Sequence, residues 1–348
     1  MRRAAKHGLR TLATEAASWL RRRLEAEAGT AAEERPEPPE LDPDHWALRS
    51  ERFQDVLRRN FAQSGSELHP LIPLRLLRQA AERAGGSLTG EVLEIGSYGH
   101  AGFALALLLL GVERVHLDNV TPVTDRLARS HAETLYALMN GFGLPLRRRL
   151  SELVEPAGPK EVRIAPGRVV LHSGVDATQL DLPPGSLQAV FSMAVLEHVR
   201  EPGPLLATTE RLLAPGGWFF HAVDLRDHND FSRPLRFLEL TEEAYRAEDP
   251  GGNRWRGPDY AAALEAIGFE LLAVDYAGPV ALTEGGGTDV FSMLLSPARE
   301  LFRPLEEVKV WVGEEDRARL QPEFQRYSLA ELSGTSVNLT GRKRLAQD

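Results

Sequence analysis

The chain contains no cysteine. That excludes disulfides, thiolate metal sites and a cysteine nucleophile together. It also lacks an apolar run near the ~18 residues that a membrane-spanning helix requires; the longest such run covers residues 103–110. Positive charge is in deficit: 41 Lys and Arg face 50 Asp and Glu, for a net charge of −9. A protein that grips nucleic acid through its phosphates carries the opposite balance. No internal repeat is present. No apolar core precedes a small-residue cleavage site, so no secretory signal is expected and the sequence predicts a cytoplasmic protein. What remains is 348 residues, 43% hydrophobic and 26% charged. That is the composition of a globular enzyme, at a length suited to one large or two modest domains.

The densest signal lies at 92–111. Val92, Leu93, Glu94 and Ile95 make a short apolar strand, bounded before it by Gly90. Gly96, Gly99 and Gly102 follow at spacings of three, and an apolar helix runs on through 103–110. Glycines let a chain turn sharply and approach a ligand closely. The helix N-terminus behind them presents unpaired N–H groups. This predicts the first βα unit of a Rossmann-like half. A dinucleotide fingerprint would read G-x-G-x-x-G, but Tyr98 stands at the second glycine position. Glu94 beside the turn would repel a diphosphate and suits a cationic moiety. A dehydrogenase is therefore disfavoured.

Further segments follow in order. Arg114, Val115, His116, Leu117 and Asp118 read as a strand ending in an acid. Gly174, Val175, Asp176, Ala177 and Thr178 read as an acidic turn. Residues 182–199 read as an apolar strand that reaches Ser192 and Met193, then a helix that holds Glu197 and His198. Residues 213–220 hold a Pro-Gly-Gly turn entering an apolar strand. With the glycine turn, this collinear set over roughly 90–225 resembles the class I S-adenosylmethionine-dependent methyltransferases; Tyr98 departs from the family's usual glycine. The resemblance implies a seven-stranded Rossmann-like α/β sheet, strand order 3-2-1-4-5-7-6, with the last strand antiparallel. It implies S-adenosylmethionine as cofactor. Glu94, Gly96, Ser97, Tyr98, Gly99 and Gly102 would hold its methionine moiety. Asp118, with Asn119 beside it, would meet the ribose. Asp176 and Ala177 would meet the adenine edge. Ser192 and Met193 would line the wall beside the methyl. Asp224, Leu225, Arg226, Asp227 and His228, with the later Asn253, Arg254, Arg256 and Tyr260, resemble a bacterial subgroup of the same family.

The rest of the chain frames this domain. Residues 1–28 read as a basic amphipathic helix, which suits a transit peptide, a membrane surface, a partner or a subunit contact. Residues 29–44, rich in Pro and Glu, read as a linker. Residues 45–89 read as helices covering the cofactor site. The methyltransferase domain spans 90–348, with a helix expected at 126–139 and the third strand near 168–171. The basic run Arg147, Arg148 and Arg149 reads as a solvated face or, less simply, an anion grip. A helix over 261–267 stops at Gly268, and strands follow at 269–276 and 336–343. An insertion at 278–333, with helical stretches near 298–305 and 316–320, would form a cap. A homo-oligomer would form through it or through the N-terminal helix.

Methyl transfer needs alignment of nucleophile, methyl and sulfur, which supplies about 7–11 kcal/mol. A hydroxyl acceptor also needs a base. His228 with Asp224 as orienter is one candidate, and a hydrogen-bonded loop that only shapes the cleft is an equal reading. Their i, i+4 spacing puts them on one face if the segment is helical. His198 is the third candidate, in a pair that occurs in this family without being catalytic. His221, Asp224, Asp227 and His228 are metal-ligand types, but their spacing is not diagnostic and no metal is expected. The sequence predicts methyl transfer from S-adenosylmethionine to a small molecule, at an oxygen of a sugar-like or secondary metabolite. Two alternatives stay open: a binding module on the same fold, and a methyltransferase acting on protein or RNA.

Overall fold

The computed structural model describes residues 88–97, 101–141, 144–277 and 302–345. The basic N-terminal helix, the linker, the helices expected before residue 88, Tyr98, Gly99 and the glycines at 285–287 lie outside the described residues.

Strand β1 (Glu91–Ile95) leads through Gly96 toward helix α1 (Gly102–Leu109). Every α1 residue from Phe103 to Leu109 is buried. The helix is apolar all round because it lies between the sheet and α2 (Arg129–Gly141). Strand β2 (Arg114–Asn119) precedes α2, and β3 (Arg126–Ala128) comes between them. Next come α3 (Leu150–Leu153), β4 (Val154–Pro156), β5 (Glu161–Ile164) and β6 (Val169–Ser173). Strand β7 (Leu187–Met193) is followed by one 3₁₀ turn (Leu196–His198), α4 (Pro202–Leu212) and the long β8 (Leu213–Asp224). Three helices fill the excursion after β8: α5 (Arg236–Glu239), α6 (Glu242–Glu248) and α7 (Gly257–Ile267). The chain then forms β9 (Phe269–Ala277), β10 (Phe302–Arg303), α8 (Glu314–Arg319), α9 (Leu329–Ser333) and β11 (Ser336–Lys343).

Among the described residues the main sheet has eight strands, in the order β10-β9-β11-β8-β7-β1-β2-β6. Strands β6, β2, β1, β7 and β8 run parallel, and β11 inserts antiparallel between β8 and β9. This is the expected 3-2-1-4-5-7-6 order, with β10 added at the edge. Alternate strand residues feed opposite faces. Val92, Val115, Leu117 and Phe191 pack with α1 and α2. Leu93, Ile95, Val190 and Phe219 pack with α4 and α7. A third cluster joins Phe237, Leu238 and Tyr245 to Val312, Leu320, Phe324 and Leu332. The excursion after β8 and the stretch before β11 thus share one core, beyond the carboxyl end of β8.

Three expectations change. The helix expected from 126 begins at Arg129, because Arg126–Ala128 pair with β5 in a small β3-β5-β4 sheet. Strands this short leave almost no periodicity to read. The helical stretch expected near 298–305 contains strand β10 at Phe302 and Arg303, paired with β9; residues 298–301 lie outside the described residues. Glu197 and His198 sit on a 3₁₀ turn rather than a full helix, and α4 begins at Pro202, whose ring suits a helix start. The Arg147–Arg149 run is partly structural: the Arg148 guanidinium donates to the carbonyls of Leu108 and Val112 at the end of α1.

Candidate active site

Parallel α/β sheets open their cleft at the carboxyl ends of the strands, where the winding reverses. Here that point lies between β1 and β7. Gly96 has φ +77°, and a Cβ there would stand 2.2 Å from Cγ2 of Val195. Glycine is therefore required on two counts. The N–H groups of Gly96 and Ser97 both donate to the Asp118 carbonyl, at 2.9 and 3.2 Å. That ties the end of β1 to the end of β2 and leaves the Asp118 side chain free.

Two carboxylates meet this corner, each with one oxygen that has no hydrogen-bond partner among the described residues. Glu94 is buried, and its Oε2 has no hydrogen-bond partner among the described residues. Burial pushes its pKa up to about 8. Asp118 is buried with Oδ1 unpartnered, as is the Ser97 hydroxyl. Burial, then the charge of Asp176, raises the Asp118 pKa to about 7. Asp176 caps the 3₁₀ turn Ala177–Gln179, accepting from the Thr178 N–H at 2.8 Å, and Ala177 is buried behind it. Asn119 accepts from the Thr121 N–H at 3.4 Å. Gly102 opens α1. Unpartnered buried acceptors of this kind await a ligand that carries donors and positive charge. An ammonium, a sulfonium and a pair of ribose hydroxyls fit that description.

Ser192 and Met193 end β7. Ser192 is buried and its hydroxyl lies 2.8 Å from Nδ1 of His221, its register partner on β8. Burial holds the His221 pKa down at about 3, so the ring is neutral. Ser192 therefore faces the sheet interior, whereas Met193 is half-buried at the strand end. The next residue, Ala194, has φ +51°. A non-glycine residue in that region marks strain held by its surroundings.

The third group lies where β7 and β8 end. The segment after Asp224 is not helical, yet His228 Nε2 stands 3.7 Å from Asp224 Oδ2. The His198 and His228 rings stack at 4.6 Å. Asp224 also binds Arg226 at 2.5 Å. Burial would raise the Asp224 pKa, but the bonds from Arg226 and His228 hold it near 2. The Asp224 carboxylate raises the His228 pKa, while burial and the facing His228 lower that of His198. Asp227 is buried and spent on structure: it accepts from the N–H groups of Asn229 and Asp230 and from Arg236.

Glu197 and Asn253 complete this group, although the sequence marked neither as a site residue. Glu197 Oε1 accepts from the Asp224 N–H at 3.1 Å. Its Oε2 has no partner among the described residues, and burial drives its pKa to about 8. Asn253 Nδ2 donates to the carbonyls of Leu196 and Val199 at 2.6 and 2.8 Å, and its backbone N–H donates to the Glu197 carbonyl. Its Oδ1 accepts from the Trp255 N–H and the Tyr260 hydroxyl. A pocket lined by Glu197, Asp224, Arg226, His228 and Trp255 opens beside it. The asparagine's signal in the sequence was its place in the Asn253–Tyr260 segment.

This sheet order, with its antiparallel strand between the fifth and sixth parallel ones and an acid-lined glycine turn at the switch point, defines a class I methyltransferase. A family model described as a methyltransferase domain matches residues 46–274. The chain belongs to that family, and family and fold support S-adenosylmethionine as its cofactor. No curated protein matches the sequence. Among solved structures, an S-adenosylmethionine-dependent methyltransferase from Mesorhizobium loti is 16% identical, at a TM-score of 0.40, covering 76% of this chain and 96% of that one. The YcgJ protein of Bacillus subtilis is 14% identical at 0.37, covering 79% and 98%. A geranyl diphosphate methyltransferase in complex with SAM is 12% identical at 0.38, covering 76% and 84%. Among the described residues no helix is long and apolar enough to cross a membrane.

Proposed function

We propose that this protein methylates a small molecule at oxygen, with a sugar-like or secondary metabolite as acceptor. The observation that carries the reading is the division of the cleft. Buried carboxylates, Glu94 and Asp118, each with one oxygen unpartnered among the described residues, lie at the ends of β1 and β2. An imidazole pair backed by Asp224 lies at the ends of β7 and β8. The first set suits a cofactor with cations and hydroxyls; the second suits a hydroxyl that must lose a proton.

In this assignment Glu94 and the turn from Gly96 to Gly102 hold the methionine end of the cofactor. Asp118 holds the ribose, with Asn119 beside it, and Asp176 with Ala177 meets the adenine edge. When bound, the cofactor supplies an electrophilic methyl on sulfur. The chain aligns the acceptor oxygen with it, and orientation of that kind is worth about 7–11 kcal/mol. The acceptor O–H gives its proton to the cluster of His198, His228 and Asp224 as the new O–C bond forms. Electrons of the breaking S–C bond stay on sulfur, so methyl ether, thioether product and proton balance. Deprotonation assistance of this type contributes about 10²–10⁴ in rate.

Thermal unfolding tests the cofactor half directly. S-adenosylhomocysteine and S-adenosylmethionine at a hundred times their dissociation constants should each add about 2.7 kcal/mol. That is several degrees at about 2–4 °C per kcal/mol. NAD⁺ should add nothing, and Asp118→Ala should abolish the shift. No shift with either adenosyl ligand overturns the reading.

A further inference from the structure

Two elements far apart in sequence deliver a carboxylate and two imidazoles to one place. The 3₁₀ turn after β7 brings Glu197 and His198; the loop after β8 brings His228. One ligand-type atom from each, a carboxylate oxygen and two ring nitrogens, lie within 4.8 Å of one another. We propose that Glu197, His198 and His228 bind a divalent transition-metal ion at the mouth of the acceptor pocket. The sequence predicted no metal. The ligand types it weighed were those of one segment, and of these His228 alone belongs to the trio. His221 is committed to Ser192, and Asp227 to its own turn.

A second observation points the same way. Glu197 Oε2 is buried and has no partner among the described residues, while Oε1 is used by the Asp224 N–H. A buried carboxylate oxygen left bare is costly, and a cation beside it removes that cost. The supports that metal ligands need are in place. Asn253 clamps the ligand-bearing turn from both ends, through the Leu196 and Val199 carbonyls. The Asp224 carboxylate stands 3.7 Å from a His228 ring nitrogen, an ion pair that steadies the ring once it is charged but is longer than a hydrogen bond. Arg226 is neutralised by Asp224 and leans over the Phe231 ring, 4.7 Å from its centroid. His198 is exposed, which gives an ion a way in.

The donor set selects the ion. Two imidazoles and one carboxylate suit Mn²⁺, Fe²⁺, Co²⁺ or Zn²⁺; Mg²⁺ and Ca²⁺ prefer all-oxygen shells. Three protein ligands leave positions open, as in catalytic rather than structural sites. On the proposed methyl-transfer reading, which this inference deepens, the open positions receive oxygens of the acceptor. The ion would acidify the hydroxyl, whose proton would then leave to solvent water at the exposed side of the site; His198 and His228 would act as ligands in place of their role as bases.

The test uses the full chain freed of metal by chelation. Co²⁺ titration should give one visible absorption band saturating at one equivalent, matched by calorimetry. Mg²⁺ should not displace it at equal concentration. Glu197→Gln, His198→Gln and His228→Gln should each weaken Co²⁺ by roughly tenfold or more. All three should keep the S-adenosylhomocysteine thermal shift, which reports that the fold and cofactor corner are intact. His198 is exposed, so its variant remains informative if the buried glutamate variant fails to fold. No Co²⁺ binding, or binding unchanged in His198→Gln and His228→Gln, overturns the site. The two readings fail separately: loss of the S-adenosylhomocysteine shift in the wild-type protein sinks the methyltransferase reading, and Co²⁺ absorption is blind to it.

Discussion

Glu94 illustrates what a single residue carries here. Its carboxyl, pushed to about 8 by burial, is protonated at neutral pH in the free protein. In the proposed placement it meets the cationic end of the cofactor and must ionise to pair with it. Binding therefore releases a proton, and affinity for S-adenosylhomocysteine should rise from pH 6 to pH 8. The limit is about tenfold per pH unit, since one pKa unit equals 1.36 kcal/mol. Asp118, raised to about 7, adds to the rise below that pH. Calorimetric titrations at four pH values check this. In Glu94→Gln the slope above pH 7 should vanish; an unchanged slope there would remove Glu94 from the cofactor site. Glu94 and Asp118 were legible in the sequence because each sits at a fixed offset from a strand end. Glu197 was not. What singles it out is burial and one unpartnered oxygen, and neither leaves a mark in the local sequence.

Two elements decide the geometry of the cleft, and both are testable by substitution. The turn at Gly96 combines positive φ with contact against Val195. Gly96→Ala meets both obstacles and should cost on the order of 1–3 kcal/mol. Pairing it with Val195→Ala relieves the contact and leaves the φ penalty, so denaturation should show partial recovery; full recovery would mean that backbone conformation was never limiting. The second element is the polar segment around Arg256. That guanidinium is fully buried and donates to the carbonyls of Leu225, Glu331, Leu332 and Gly334. It joins the end of β8 to the C-terminus of α9, where a cation also suits the helix dipole. Arg256→Met leaves those carbonyls bare and should cost about 3 kcal/mol or more in urea denaturation. A loss below 1 kcal/mol would show that water replaces the arginine. The density of polar residues from Asp224 to Asp230 and from Asn253 to Tyr260 was visible in the sequence, but its division of labour was not. Asp227, Asn253, Arg254 and Arg256 secure backbone and neighbours, while Asp224 and His228 form an ion pair at the pocket wall.

At the scale of the molecule, the sheet was legible because its central strands are buried on both faces. Val92 to Ile95 and Phe219 to Val223 read as nearly unbroken apolar runs, as parallel strands do. The short β3-β5-β4 sheet and β10 escaped because three residues carry no period. The same two-sided burial that made the sheet legible also traps ionisable groups, so the whole protein acquires a pH profile. Glu94, Glu197 and Asp118 have folded pKa values of about 8, about 8 and about 7, above their unfolded values. The folded state keeps protons that the unfolded state releases, and the stability this contributes is lost as pH rises toward 8. His221, at about 3, and the lowered His172 act on the other limb. Their contribution is intact above about 6.5 and lost as pH falls below it, because only the unfolded chain takes up those protons. Below about 6.5 the two limbs oppose each other; above it the carboxyls act without that opposition. The ligand-free protein should therefore be more stable at pH 6.5 than at pH 8, by roughly 2–4 kcal/mol. Thermal scans across pH 5 to 8 read this as a fall of several degrees on the alkaline side. Saturating S-adenosylhomocysteine should shrink that fall, because an ionised Glu94 is what the bound state requires. A ligand-free melting temperature that is flat or rising from pH 6.5 to 8 would mean that these carboxyls are ionised in the folded protein, with a charge partner already in place before any cofactor arrives.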